Sequence, residues 1–299
     1  MRTTGREYTL IKNQSDLEKI ADNLGGNYVL GADITLSGDF KPIGWNGIFN
    51  SDAFTGRFSG DGHTISVDVN VTNGAAGLFS FNRGSIMYLG VKGNISGSNY
   101  AGGISGLNNG GTIYCCSFEG KVTGDSFVGG ISGVNSELNN NIGTIKNCYV
   151  IGDVSGSKNV GGISTGTGDA KVENCYFAGK VTASDTYSPI NSYGGTVKNC
   201  YYDKEVYGSE VTEDNVTGKT TNELCSLSID GNYWTAGSYT ATVDGKIRTA
   251  EYTYPKLKSL KKAAKSGAVK QYNFGIDSAD DWQGIHVNQK SKRFGENRR

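Results

Sequence analysis

The sequence predicts an all-β solenoid in the form of a parallel β-helix, with a cap at each end. Three observations carry this prediction: two phrases recur along the chain, the strands they suggest alternate apolar and polar residues, and glycine accounts for 45 of 299 residues. Repeats of this kind usually indicate a stacked array of structural units. A unit of about 27 residues cannot bury its own apolar face, whereas stacked units can.

The first phrase, Gly-Gly-Ile-Ser, occurs at residues 102–105, 129–132 and 161–164. The second phrase ends in a cysteine at Cys116, Cys148, Cys175 and Cys200. An earlier copy has Leu89 at the cysteine position, which indicates an apolar core slot. Stacked residues lie about 4.8 Å apart, so distance alone does not exclude a disulfide. We expect free buried thiols, because free cysteine behaves as a small hydrophobe.

The residues after each cysteine alternate with period two, the pattern of a half-buried strand. Successive copies predict two inward columns: Phe118, Val150, Phe177 and Tyr202 in one, and Val122, Val154, Val181 and Val206 in the other. The Gly-Gly pairs are interpreted as turns, because glycine reaches positive φ without a Cβ clash.

The Gly-Gly-Ile-Ser-Gly phrases and the Gly-Thr-Ile-x-Asn-Cys-Tyr phrase at 143–149 resemble those of bacterial GLUG-repeat proteins. The likeness extends to Pro42–Gly44, Phe54–Ile65 and Tyr254–Leu257, and thus covers roughly residues 8–257. The resemblance implies a right-handed parallel β-helix and a secreted or cell-surface location. It implies no particular reaction, because the family is not tied to one.

We divide the chain into an N-terminal cap with the first strands (1–53), the β-helix (54–206), a C-terminal cap segment (207–257) and a basic tail (258–299). Ser15 to Glu18 and Thr220 to Glu223 each have the sequence of a capping box, so a short helix is expected after each. The first helix is expected to cap the open end of the solenoid, where an unpaired sheet edge would otherwise be exposed. The tail is sparse in apolar residues and is expected to be disordered or loosely docked.

Composition limits the partners. The formal net charge is zero, so no global attraction to nucleic acid or anionic membranes is expected. No run of 18 apolar residues occurs, so membrane insertion is not expected. Met1 to Gly5 lacks the apolar region of a signal peptide, which suggests an excised piece of a secreted protein or another export route. We expect a monomer.

Three tyrosines form the candidate ligand site. Tyr149, Tyr176 and Tyr201 follow the cysteines and fall on the outward face, where stacked rings would give a strip that sugar rings could contact. The alternative is that the rings only stabilise the sheet through cross-strand pairing. A second column, Asn147, Asn174 and Asn199, is expected to be a structural amide ladder between turns.

The sequence offers no catalytic cluster, metal site or cofactor motif. Glu119 and Asp203 share an outward column but lie three turns apart, roughly 14 Å, too far to act on one glycosidic bond. His63 has no evident nucleophile beside it. The favoured function is therefore a non-catalytic surface module for adhesion or display, with a glycan or a host or cell-surface protein as partner. The alternatives are a polysaccharide lyase or glycoside hydrolase and a structural spacer.

Overall fold

In the computed structural model, the described residues are 7–45, 52–244 and 247–260. About half of them lie in β-strands, most of which are parallel and coil into a β-solenoid of about six turns, and the three α-helices are short. The predicted all-β parallel β-helix is confirmed. Met1 to Gly5 and the basic tail from residue 261 onward lie outside the described residues.

The strands follow one another with short connections. The first ten are β1 (Thr9–Ile11), β2 (Asn27–Leu30), β3 (Ile34–Thr35), β4 (Arg57–Ser59), β5 (Thr64–Ala76), β6 (Phe79–Asn82), β7 (Ser85–Met87), β8 (Gly90–Gly102), β9 (Ser105–Asn109) and β10 (Thr112–Tyr114). The next ten are β11 (Ser117–Thr123), β12 (Ser126–Gly129), β13 (Ser132–Ser136), β14 (Thr144–Lys146), β15 (Tyr149–Ser155), β16 (Lys158–Gly161), β17 (Ser164–Gly166), β18 (Lys171–Glu173), β19 (Tyr176–Ala178) and β20 (Val181–Thr182). The last nine are β21 (Tyr187–Ser188), β22 (Asn191–Ser192), β23 (Thr196–Lys198), β24 (Cys200–Asp203), β25 (Val216–Lys219), β26 (Trp234–Thr235), β27 (Ser238–Asp244), β28 (Ile247–Thr253) and β29 (Lys256–Leu257).

Three parallel sheets form the walls of the solenoid. Sheet A has eight strands in the order β1-β2-β4-β7-β10-β14-β18-β23. Sheet B has twelve strands, with β8, β11, β15, β19, β24 and β25 stacked in that order, and sheet C has five in the order β22-β17-β13-β9-β6. From β4 to β23, each turn therefore passes through all three sheets and returns to sheet A one strand further along the stack. The only antiparallel ladders among the described residues are β26–β29 and β27–β28.

The predicted inward columns are present in sheet B. Phe118, Val150, Phe177 and Tyr202 are paired in register and fully buried. Val122, Val154 and Val181 are also paired, but Val206 is not part of their column. Val206 lies in helix α2 (Lys204–Tyr207), which begins where the side chain of Asp203 accepts hydrogen bonds from the amides of Glu205 and Val206. The sheet prediction was wrong there because this cap turns the chain out of the strand.

A left-handed backbone corner precedes sheet B in five successive turns, at Tyr88, Cys115, Asn147, Asn174 and Asn199. Their φ angles lie between 50° and 54°. Asparagine tolerates this conformation better than most residues, because its short amide can bond to nearby backbone. Asparagine therefore recurs in the sequence because the backbone at each corner is left-handed, and not only because its side chain occupies a particular place.

The Gly-Gly pairs are not positive-φ turns, contrary to the sequence interpretation. Glycine is required there because neighbouring turns approach too closely for a side chain. A Cβ at Gly103 would lie 2.3 Å from the Phe118 ring, and one at Gly130 would lie 2.3 Å from the carbonyl oxygen of Gly162. The Gly-Gly-Ile-Ser phrase therefore marks positions where neighbouring turns pack too closely to admit a side chain.

A substitution at Gly130 tests this packing. We expect Gly130→Ala to lower the free energy of unfolding by about 1–3 kcal/mol, the usual range for overpacking a close-packed interior. Gly231→Ala is the matched control, because a Cβ there meets nothing within 4 Å. Urea denaturation followed by circular dichroism measures both; equal midpoints for the two variants would contradict the packing role.

Both ends of the stack are closed. Helix α1 (Gln14–Glu18) and the following 3-10 helix (Lys19–Asp22) bury Leu17 and Ile20 in the solenoid core. The N-cap of α1 is Asn13, which accepts from the amide of Asp16, and not Ser15 as the capping-box pattern predicted. The second capping box is confirmed: Thr220 and Glu223 bond reciprocally at the start of α3 (Thr221–Cys225). At the C-terminal end, α2 and β25 form the last layer over the core.

Candidate functional site

The predicted tyrosine column exists, but most of it is covered. Tyr149, Tyr176 and Tyr201 are paired in register on adjacent strands of sheet B. The Tyr149 and Tyr176 rings stack with centroids 5.2 Å apart and an interplanar angle of 2°. Tyr149 is 2% exposed and Tyr176 is 0% exposed, whereas Tyr201 is half-buried. The expectation of an exposed strip is therefore wrong for two of the three rings.

The cover is formed by residues 221–244 and 247–257, which we call the C-terminal flap. Trp234 lies over both stacked rings, with centroids 6.0 Å from Tyr149 and 5.5 Å from Tyr176. The Tyr176 hydroxyl donates to the carbonyl of Pro255 at 2.6 Å. Leu224, Cys225, Trp234, Tyr254 and Leu257 join Tyr149 and Tyr176 in a second apolar core outside the solenoid. The aromatic cluster at 233–254 thus packs on the flank of the stack, where it excludes ligands from Tyr149 and Tyr176.

Burial changes the chemistry of these hydroxyl and thiol groups. It raises the pKa of Tyr176 well above that of a free phenol, and it raises the pKa of Tyr149, with the nearby carboxylate of Glu119 adding to the shift. Burial also raises the pKa of the neighbouring Cys115 thiol to about 12. All three groups therefore stay neutral at ordinary pH and act as hydrogen-bonding and packing groups, because ionisation would leave a charge in an apolar setting.

The four cysteines of the repeat lie inside the solenoid. Cys116, Cys148, Cys175 and Cys200 are fully buried in the solenoid core and are free thiols. The Sγ atom of Cys175 accepts a hydrogen bond from the amide of Cys148 at 3.4 Å. Burial raises the pKa of the Cys148, Cys175 and Cys200 thiols, so reactive thiolates are disfavoured.

The predicted asparagine ladder is only partly formed. Asn199 donates to the side-chain oxygen of Asn174 at 2.7 Å, and its own oxygen accepts from the Tyr201 hydroxyl at 2.6 Å. Asn147 forms no such bond with Asn174, so the three-residue ladder prediction was wrong at that turn.

A longer amide ladder lies inside the solenoid, where sequence reasoning did not place one. Asn82 donates to Asn108, and Asn108 donates to Asn135, each at 2.7 Å. All three are buried, and Asn135 also donates to the carbonyl of Lys171. The recurrence of asparagine three residues after Phe79, Ser105 and Ser132, the equivalent positions of three successive turns, was the signal that could have indicated it.

The acidic side chains of the Glu119 column have structural partners. Glu119 lies 2.9 Å from the ammonium group of Lys92 and accepts from the Tyr149 hydroxyl at 3.1 Å. Asp203 is buried, caps α2 and accepts from the Tyr254 hydroxyl at 2.7 Å. The register places them three turns apart, as the sequence predicts.

His63 has an acidic partner that the sequence did not reveal. Its Nδ1 lies 3.1 Å from Asp33, which also accepts from the amide of Thr64. This contact joins two successive turns at the corner before sheet B. Among residues 7–45, 52–244 and 247–260, no group of three or more His, Cys, Asp or Glu side chains is placed to hold a metal ion. Across those same ranges, none of the helices combines the length and the apolarity that a membrane crossing requires.

A different aromatic surface remains accessible. Tyr100 and Phe127 occupy equivalent positions in adjacent turns, and their rings stack with centroids 5.3 Å apart and an interplanar angle of 7°. Tyr193, which is 65% exposed and follows β22 of sheet C, lies beside them with its ring perpendicular to that of Phe127 at 5.9 Å. Tyr100 and Phe127 are partly exposed. We call these three residues the aromatic ledge.

The backbone of the aromatic ledge is left-handed throughout. The φ angles are 56° at Tyr100, 57° at Phe127 and 82° at Tyr193, a region that bulky side chains rarely occupy. Asn159 occupies the position equivalent to Phe127 in the following turn, with φ 53°. Asparagine is a residue that this region of backbone conformation favours. The left-handed residue interrupts the period-two alternation, which explains why the sequence pattern did not reveal the ledge.

Comparison with known proteins supports the fold and goes no further. No family model matches the sequence, and no curated protein matches it. The chain is similar to a crystal structure from Bacteroides ovatus described as "a putative immunoglobulin A1 protease", with a TM-score of 0.60 and 19% sequence identity. The likeness covers 84% of this chain and 92% of that chain. Identity at this level shows a shared fold alone.

Proposed function

We propose that this chain is a non-catalytic β-helical module of a secreted or cell-surface protein and that it binds glycan through the aromatic ledge. The single observation that carries the proposal is the group of three accessible rings at Tyr100, Phe127 and Tyr193. Rigid aromatic side chains supply a large amphipathic contact area at a low cost in conformational entropy. The Tyr193 ring, which is largely exposed, suits the apolar face of a sugar ring beside the stacked Tyr100 and Phe127 rings, and neighbouring amides and hydroxyls suit the sugar hydroxyls.

The surroundings of the ledge support a binding role. Asn99 and Ser126 stand immediately before Tyr100 and Phe127, and the Ser126 hydroxyl donates to Asn99 at 2.8 Å. Tyrosine, serine, asparagine and glycine together are the composition of adaptable recognition surfaces. The solenoid holds Asn99, Tyr100, Ser126 and Phe127 on paired strands. The loss of conformational entropy when a ligand binds is therefore expected to be small.

The location is proposed from the resemblance of the repeat phrases to bacterial GLUG-repeat proteins. The partners of the carboxylates in the Glu119 column support a non-catalytic role, since both acids are engaged in structural contacts. A polysaccharide lyase or hydrolase and a structural spacer are the competing functions, and one experiment separates all three.

The test is size-exclusion chromatography with light scattering on the full chain mixed with glucans, xylan, mannan and pectin. We expect co-elution with at least one polymer of unchanged mass, and loss of co-elution for Phe127→Asn. Asparagine is chosen because Asn159 occupies this backbone position in the next turn, so the variant is expected to fold. Circular dichroism checks that it does.

The matched control is Tyr252→Asn, which removes an exposed tyrosine from the C-terminal flap and should leave co-elution unchanged. A polymer that moves to lower mass would replace the proposal with an enzymatic function. No co-elution with any polymer would overturn glycan binding and favour the spacer.

A further inference from the structure

We infer that the ligand of the aromatic ledge is an uncharged polysaccharide whose chain lies along the solenoid axis. The inference rests on the proposed function and adds to it the direction and the charge class of the ligand. Three features of the described surface carry it: the alignment of Tyr100 with Phe127, the lack of excess positive charge beside them and the exposure of strained aromatic residues.

Two of the three rings are arranged along the stack. Tyr100 and Phe127 occupy equivalent positions in adjacent turns of sheet B. Tyr193 follows β22 in sheet C, two turns beyond Phe127, and its ring is perpendicular to that of Phe127 at 5.9 Å. Strands of adjacent turns are about 4.8 Å apart, so the Tyr100–Phe127 pair extends parallel to the solenoid axis. A chain of sugars in that direction would follow this pair and meet the exposed Tyr193 ring beside it.

The charges beside the ledge carry no positive excess. Asp125 lies two residues before Phe127, and Lys158 and Asp185 lie near the equivalent position in the next two turns. The ammonium group of Lys158 is 4.0 Å from the carboxylate of Asp185, and both side chains are about 60% exposed. Two carboxylates and one ammonium group give no excess of positive charge to attract an acidic polymer.

Side chains that can hydrogen-bond to sugar hydroxyls lie next to Tyr100 and Phe127 on the same strands. The Ser126 to Asn99 bond uses the side-chain oxygen of Asn99 and leaves its amide NH₂ group to donate. Asn99 is exposed, and Ser126 is partly exposed. A neutral sugar chain on the rings would bring its hydroxyls against these side chains.

The exposure of its rings distinguishes the ledge from Tyr88, another left-handed aromatic position. Tyr88 is also left-handed, but its ring is buried in the second apolar core, where packing offsets the conformational cost. Tyr100, Phe127 and Tyr193 carry the same cost with rings that are partly or largely exposed. Left-handed non-glycine residues cost on the order of 1–3 kcal/mol and cluster at binding sites. Contact with a ligand would give these rings the packing that Tyr88 obtains from the protein.

The experiment is isothermal titration calorimetry of the full chain with uncharged gluco- and xylo-oligosaccharides of increasing length, and with oligogalacturonates of matched length. For at least one neutral series, we expect affinity to rise with length until the ledge is spanned and to be insensitive to salt. We expect Phe127→Asn to weaken binding of the longest neutral oligomer by about tenfold or more, equivalent to about 1.4 kcal/mol. Its thermal midpoint should stay at or above that of the wild type.

The charge variant Asp185→Asn serves as the matched control and should leave neutral binding within about twofold, because a surface pair contributes little. Tighter binding of oligogalacturonate, weakening with salt, would overturn the neutral class while leaving glycan binding intact. Equal affinity for the shortest and longest oligomers would overturn the axial direction. Absence of binding in every series would overturn the proposed function itself together with the inference.

Discussion

Tyr176→Ala is expected to lower the free energy of unfolding by about 3–5 kcal/mol, the range for truncating a large buried aromatic residue. Tyr176 is fully buried between the solenoid and the C-terminal flap. The substitution removes the stack with Tyr149, the contact with Trp234 and the hydrogen bond to Pro255. Urea denaturation followed by circular dichroism measures the change.

Tyr201→Ala is the matched control, because Tyr201 is the next residue of the same column. It is half-buried, and its hydroxyl bonds within its own turn to Asn199. We expect a loss of about 1 kcal/mol, the typical effect of a point substitution. Similar losses at the two positions would show that the flap does not cover Tyr176 in solution.

Asn108→Ala is expected to cost about 2–5 kcal/mol. Asn108 is the middle member of the buried amide ladder: it accepts from Asn82 and donates to Asn135 and to the carbonyl of Gly111. Its removal leaves buried amide groups on both neighbours without their partner, and each such group costs roughly 1–3 kcal/mol. The same denaturation experiment measures the effect.

Asn109→Ala controls for the adjacent position, because Asn109 is partly exposed and its side chain accepts only from the Ser136 hydroxyl in the next turn. Its expected cost is about 1 kcal/mol or less. Equal destabilisation by the two variants would contradict a ladder that stabilises the solenoid from within.

Features determined by the repeat itself could be predicted from the sequence. The registers of Phe118, Val150 and Phe177, the burial of the cysteines and the equivalence of Leu89 with Cys116 follow from the spacing of the phrases. The Thr220 capping box was equally accessible, because its partners lie only three residues apart. Such local signals do not depend on how distant segments pack.

The candidate site depended on contacts that the repeat does not encode. Tyr149 and Tyr176 were predicted to be exposed because nothing in their own turns covers them; Trp234 and Pro255 reach them from a segment that lacks the repeat. The aromatic ledge could not be predicted for a different reason, since its left-handed residues break the alternation of apolar and polar residues that identifies a strand face. Asn159 at the equivalent position was the available clue.

The C-terminal flap also changes how the solenoid holds together as a unit. In a simple solenoid each turn touches only its neighbours, so turns can open one after another from the ends. The flap contacts Tyr114 through Tyr233, Tyr149 and Tyr176 through Trp234, and Asp203 through Tyr254. It thereby links four consecutive turns. The backbone amides of these turns would be protected from hydrogen exchange as one cooperative unit, whereas the N-terminal turns, which the flap does not contact, would open independently.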